Sequence, residues 1–291
     1  MSDSIIRTVA GGGAIRAFFA TTKETVETAR QIHNLSPTAS AALGRLLTGA
    51  AIMGLNIKEE NGSVSLQIKG DGDIGGIFAF ARPDGTVKGY AENPLADPPR
   101  NIVGKLNVSG AIGNGTLTVI KDIGMTEPSV GQIELVSGEI AEDLVAYYAQ
   151  SEQTPSVVAL GVLVNTDYTI KQSGGFIVQL MPFAEDAVIS KLEKNIAAIK
   201  SVTAMFESGM TISDIMNTVL NGFSVDFSEN LPVCYRCDCS AERARRSLIS
   251  LGKKELEEII NSDGKAELEC HFCDKKYIFD KAGLIDLTKS N

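Results

Sequence analysis

Four cysteines in two tight pairs constrain this chain more than any other feature. They read Cys237-Asp238-Cys239 and Cys270-His271-Phe272-Cys273, with thirty residues between the pairs. A fifth, Cys234, lies three residues before the first pair, and the preceding 233 residues contain none. Thiolates gathered this way suit a tetrahedral zinc site, because zinc takes soft sulfur ligands and has no redox chemistry of its own. The same four sulfurs also make two dithiols. A Cys-x-x-Cys of the thioredoxin type needs a surrounding βαβ pattern, which is missing here, so the spacing points to metal. It leaves one choice open. Cys234 and Cys237 also form a Cys-x-x-Cys pair, so either that pair or Cys237 and Cys239 can supply the first two ligands. His271 is a poor substitute, since four cysteines already fill the tetrahedron.

The rest of the chain bounds the context. No basic region followed by an apolar run opens the sequence, so no secretory signal is expected. No stretch is expected to span a bilayer. The best candidate, 39–55, is interrupted by Arg45, Thr48 and three glycines. The expected compartment is the cytoplasm, where thiols stay reduced and clustered cysteines bind metal or sense oxidants. The formal charge is −9, which disfavours nucleic acid as a partner. From Leu231 onward the chain carries 11 basic and 11 acidic residues, so the cysteine module is neutral before metal, unlike a nucleic-acid-binding zinc ribbon.

Periodicity predicts an α+β fold in three parts. Residues 1–182 read as a mainly antiparallel β-sheet domain with helices. Helical spacing covers 22–33 and 38–55, and the second of these is rich in small residues, so something packs closely on it. Strands are expected at Val64–Ile68, Ile77–Ala81, Val87–Ala91, Thr116–Lys121, Gln132–Val136, Val157–Val164 and Phe176–Leu180. A helix is expected at Glu139–Ala149, and Pro83-Asp84-Gly85 marks a hairpin. Residues 183–231 read as an amphipathic helical linker. Its apolar stripe, including Val188, Leu192, Ile196, Val202, Phe206, Ile215 and Val219, needs a surface to lie on; 221–231 reads as a connector. Residues 232–291 form a small C-terminal zinc-binding α+β module, with Ser240 capping a helix and short strands around the second cysteine pair.

Two apparent motifs carry no chemistry. Gly70-Asp71-Gly72-Asp73-Ile74-Gly75 has the dinucleotide spacing, but a strand follows it instead of a helix, and two aspartates would repel phosphate. It reads as a turn. His33, at a helix end, has no visible catalytic partner and reads as a surface or capping residue. No P-loop and no nucleophile elbow occurs, so an enzyme is not expected.

At its cysteines the chain resembles the redox-regulated heat-shock holdases, the family called heat shock protein 33 or 33 kDa chaperonin. The likeness rests on Cys237-x-Cys239-Ser240, Leu251-Gly252-Lys253-Lys254-Glu255-Leu256, Cys270-His271-Phe272-Cys273 and Tyr277-x-Phe279. It continues upstream through residues 37–45, Gly115-Thr116-Leu117, Val136-Ser137-Gly138-Glu139, Ser151-Glu152-Gln153 and Gly174-Gly175-Phe176. The resemblance implies Cys237, Cys239, Cys270 and Cys273 as ligands of one zinc ion, with Cys234 outside the set. It implies an ATP-independent chaperone that is inactive when reduced and zinc-bound. Oxidation would form Cys237–Cys239 and Cys270–Cys273 disulfides, release zinc, unfold the module and linker, and expose a surface for unfolded client proteins. The active form would be a homodimer. Two rivals are a zinc-stabilised protein binding RNA or the translation machinery, marked by salt-sensitive RNA binding, and a dithiol oxidoreductase, marked by turnover of a disulfide substrate.

Overall fold

The computed structural model describes residues 2–182, 184–199 and 201–288. Phe183 and Lys200, inside the stretch read as helical, lie outside the described residues. The chain forms two compact units, Met1–Arg236 and Cys237–Asn291. The first opens with the hairpin β1 (Ser4–Ala10) and β2 (Ile15–Thr21), then helices α1 (Lys23–His33) and α2 (Pro37–Leu55). A meander of β3 (Ser63–Gly70), β4 (Gly76–Ala81) and β5 (Thr86–Ala91) leads through α3 (Val108–Ile112) to the hairpin β6 (Gly115–Asp122) and β7 (Ser129–Glu134). Helix α4 (Ala141–Gln150) precedes the hairpin β8 (Ser156–Val164) and β9 (Ile170–Leu180). Three helices follow, α5 (Asp186–Ala197), α6 (Val202–Glu207) and α7 (Ile212–Val219), and then strands β10 (Val225–Pro232) and β11 (Cys234–Tyr235).

Two sheets result, of order β10-β1-β2-β9-β8 and β11-β5-β4-β3-β6-β7. All pairings are antiparallel except β11 with β5. Helix α2 lies in the core they share. By length and mean hydropathy alone it could cross a membrane, but it is almost wholly buried inside this unit, as a core helix is. Its small residues explain the fit. A Cβ on Gly44 would meet Val26 and Val162 below 3 Å, and one on Gly54 would meet Ala81 at 2.8 Å. Ser36 caps its first turn, accepting from Ala39 N.

The inner strands of the five-stranded sheet, β1, β2 and β9, are largely buried on both faces. Ile5, Phe18, Ala20 and Ile177 join the core with α2. The alternate residues Ile6, Ala17, Phe19, Phe176 and Val178 form a second core with Leu192, Val202, Phe206, Ile215 and Val219 of α5, α6 and α7. The apolar stripe of the helical stretch therefore lies on this sheet face. Helices this short are marginal in isolation, so their folding depends on that contact. Thr211 and Asp214 complete the capping box read from the sequence.

Residues 221–231 differ from expectation: most of the stretch is β10, paired with β1 from Ser4↔Pro232 to Ala10↔Val225. As an edge strand with mostly exposed side chains, it shows no apolar period. The glycine-rich 70–75 segment is a hairpin turn, as read. Its glycines admit the backbone of α3: a Cβ on Gly70 would sit 1.9 Å from Ile112 O, and Gly72 N donates to that oxygen.

Glu27 ties α1 to β9. Its carboxylate accepts from Arg30 and from Ile170 N at 2.9 Å. The Arg30 hydrogen bond holds its carboxyl down to about 2. Its contribution to stability is therefore complete above the ordinary value of 4.5 and is lost as pH falls toward 2. Glu27→Gln should lower stability by about 1–2 kcal/mol at neutral pH, with the difference vanishing in acid, as urea unfolding midpoints would show.

Candidate metal centre

The second unit is built from α8 (Ala241–Ile249), α9 (Lys253–Ser262), the hairpin β12 (Lys265–Glu269) and β13 (Lys276–Asp280), and α10 (Lys281–Thr288). Its own core is slight: among the described residues Ala244, Leu248, Leu256, Ile260, Leu284 and Leu287 are the buried apolar ones. Such a unit needs a further cross-link to be stable.

Local structure brings the cysteines together. Ser240 accepts from Arg243 N and starts α8 directly after the first pair, while Asp238 pairs with Arg243 at 2.9 Å. The second pair forms the turn of the β12–β13 hairpin. Cys273 N and Asp274 N donate to Cys270 O, and Cys270 N donates to Lys275 O. Asp274 adopts φ 54, the left-handed conformation that closes the turn. Cys237, Cys239, Cys270 and Cys273 then place their sulfurs within 4.8 Å of one another. Cys237 Sγ lies 3.6 Å from Cys270 Sγ, and Cys239 Sγ lies 3.3 Å from Cys273 Sγ. Four sulfurs at about 2.3 Å from a tetrahedral zinc ion would lie about 3.8 Å apart. The set fits such an ion, and the thiols are free of disulfides.

The electrostatics point the same way. Partial burial pushes the Cys237 thiol up to about 11 and raises that of Cys273. Burial also opposes ionisation of Cys239, but hydrogen bonds outweigh it, above all one from Tyr277 Oη at 3.0 Å, and bring this thiol down to about 7. One thiolate is accommodated by the protein, and each further one repels those present unless a cation joins them.

Cys234 is placed elsewhere. It sits exposed on β11, its N donating to Gly85 O, and does not belong to the sulfur group. Neither does His271. His33 does not act as a helix cap: its Nε2 lies 3.1 Å from Gly89 O and 3.2 Å from Tyr235 Oη. Tyr277 is the residue whose role the sequence did not disclose. A tyrosine four positions after Cys273 reads as a strand residue, and only the hairpin geometry turns its hydroxyl toward a sulfur. Because donors to metal-bound ligands tune affinity, Tyr277→Phe should weaken binding of a thiophilic metal such as zinc about tenfold. Competition against a chromophoric chelator would measure it, and the affinity of both forms should fall with acidification as protons compete for the thiolates.

Comparison with known proteins gives a consistent result. The sequence model of the family described as Hsp33 protein matches residues 3–280. The chain is 49% identical to a protein of Lachnoclostridium phytofermentans named 33 kDa chaperonin, with 100% of both chains covered. It is 48% identical to the one of Clostridioides difficile, with 99% of both covered. The crystal structure of a 33 kDa chaperonin (heat shock protein 33 homolog) from Thermotoga maritima superposes with a TM-score of 0.92 at 38% identity, covering 100% of this chain and 99% of that one.

Proposed function

Because the chain belongs to the Hsp33 family, a family of chaperones, we propose that it is a redox-switched, ATP-independent holdase for unfolding client proteins. The observation that carries this reading is a four-thiol cluster in a unit with almost no other core. We take the ligands to be Cys237, Cys239, Cys270 and Cys273 and the metal to be zinc, which when bound supplies the charge that four thiolates need. Metal binding contributes roughly 10–16 kcal/mol to small sites of this kind.

An oxidant of the peroxide or hypochlorous acid class takes two electrons from each cysteine pair. Each pair then gains one S–S bond; with peroxide the O–O bond breaks, and two protons drawn from solvent complete two waters, since metal-bound thiolates carry none. Pairs Cys237–Cys239 and Cys270–Cys273 close loops of one and two residues, which constrain an unfolded chain little. They also join sulfurs other than those closest in the folded unit, 237 with 270 and 239 with 273. Oxidation thus removes the ligands and remodels the site together, so the unit at 237–291 unfolds. While β10 stays paired with β1, the helical part of the linker, α5 to α7, then leaves its sheet. The face it covers, with Phe19, Phe176 and Val178, is an apolar surface suited to unfolded chains. We place the protein in the cytoplasm, active as a homodimer, with neither nucleic acid nor membrane as partner and with binding instead of catalysis as its activity.

The test is light scattering from a thermally unfolding client without ATP, comparing reduced zinc-loaded protein with peroxide-treated protein. Suppression of aggregation by the oxidised form alone, with zinc released, is expected. Equal behaviour of the two forms would reduce the cysteines to a structural metal site.

A further inference from the structure

Strand β8 is a terminal strand of its sheet and pairs with β9 alone among the described residues. Its nine residues, Ser-Val-Val-Ala-Leu-Gly-Val-Leu-Val, include no charge and no proline. Natural edge strands carry such devices to prevent unwanted pairing, so a long apolar edge without them calls for a partner. A groove of about 730 Å³ runs along this edge, touching most of the strand from Val158 to Val164. On one side stands the start of α6, where Val202 and Thr203 pack so close to Gly161 that a Cβ there would lie 2.4 Å from Thr203 Cγ2. On the other side stand α2, α4 and the loop 100–106. That loop is ordered by its own hydrogen bonds: Asn101 Oδ1 accepts from Val103 N and Lys105 N. It holds Ile102 and Val103 out in solvent, and Tyr168 stands exposed on the β8–β9 turn.

The charges along the groove select among occupants. Arg45 is paired with Glu139, and Glu207 with Lys171. Arg100 and Lys105 face the groove with no carboxylate partner among the described residues, against the single unpaired acid Glu142. A second copy of this chain would bring an uncharged β8 and a second pair of cations. An extended peptide bearing carboxylates satisfies both the open backbone edge and the cations.

We propose that the β8 edge is a peptide-binding groove. It takes an extended apolar segment with acidic residues as a sixth strand of the sheet, with carboxylates meeting Arg100 and Lys105. The groove has α6 as a wall, so it is complete only while the helical layer is docked. On the proposed function, an occupied groove therefore favours the inactive form by mass action and delays its activation.

The test uses full-length, reduced, zinc-loaded protein and fluorescence anisotropy with labelled nonapeptides of alternating valine and threonine. Two glutamates stand at one end, in both sequence orders. Binding is expected, weakened about tenfold when lysines replace the glutamates and abolished by proline at alternate positions, which removes backbone donors. Arg100→Glu with Lys105→Glu should invert the charge preference; both lie on an exposed loop outside the core. Absence of binding, equal binding of the proline peptide, or indifference to charge in both protein forms would overturn the proposal. So would sedimentation showing a dimer that blocks peptide access to β8, which would give the edge to a second copy. None of these measurements involves client or oxidant, so they succeed or fail separately from the holdase reading. If peptide binds, slower zinc release under peroxide in its presence is the expected linkage, and an unchanged rate would remove the regulatory half of the proposal.

Discussion

Cys270→Ser is expected to lose zinc and melt the C-terminal unit even in excess reductant. Serine keeps the size of the side chain but offers a hard, protonated oxygen where the site needs a thiolate. Three thiols remain within 4.8 Å of one another, but a three-sulfur site forfeits much of the roughly 10–16 kcal/mol that such a centre contributes. The unit has six buried apolar residues among those described to set against that loss, and domains of ordinary size are stable by only about 5–15 kcal/mol. Limited proteolysis should cut within 237–288 and spare the first unit, and a colorimetric assay should find little zinc. Wild-type zinc affinity in the variant would refute the ligand assignment.

The second large effect should come from Ile215→Asp. Ile215 on α7 is fully buried against the five-stranded sheet. An aspartate there places a charge without a partner in an apolar layer, at a cost of about 3–5 kcal/mol. Helices α5, α6 and α7 are held by that layer, so the whole segment should come off while the cysteines remain reduced and zinc-loaded. The variant should suppress client aggregation without oxidant. An inactive reduced variant whose helices are shown by hydrogen exchange to be released would exclude the sheet face as the client surface.

What could be read from the sequence divides along physical lines. The cysteine constellation was legible because ligand spacing is a local property, and so were α2, the capping box at Thr211 and the hairpin at Pro83-Asp84-Gly85. Strands β1 and β2 were not. The middle of their sheet is buried on both faces, so Phe18 and Phe19 are both interior and the alternation that marks a half-exposed strand is missing. Strand β10 failed for the opposite reason, being an edge with little buried surface. The two-residue β11 exists only through its pairing with β5, where Gly85 clears space: a Cβ there would sit 2.0 Å from Pro232 O. The apolar stripe of the helical stretch was visible in the sequence, but the face receiving it was not, because that face comes from strands far apart in the chain. The Tyr277 hydroxyl beside Cys239 likewise depends on hairpin register, which sequence spacing does not contain.

Strand β10 also fixes what kind of object the helical layer becomes when it lifts. The segment begins at the end of β9 and ends at the start of β10, and both strands belong to one sheet with β1 and β2 between them. Its two ends are therefore anchored three strand spacings apart, about 14 Å. While that sheet holds, a released layer is a tethered loop and not a free tail. Its entropy gain is capped by the closure of the loop, and it stays at millimolar effective concentration over the face it left. On the proposed function, any occupant of that face competes with a permanently attached rival, so an unfolded chain held there would be displaced without fuel once the thiols are reduced again.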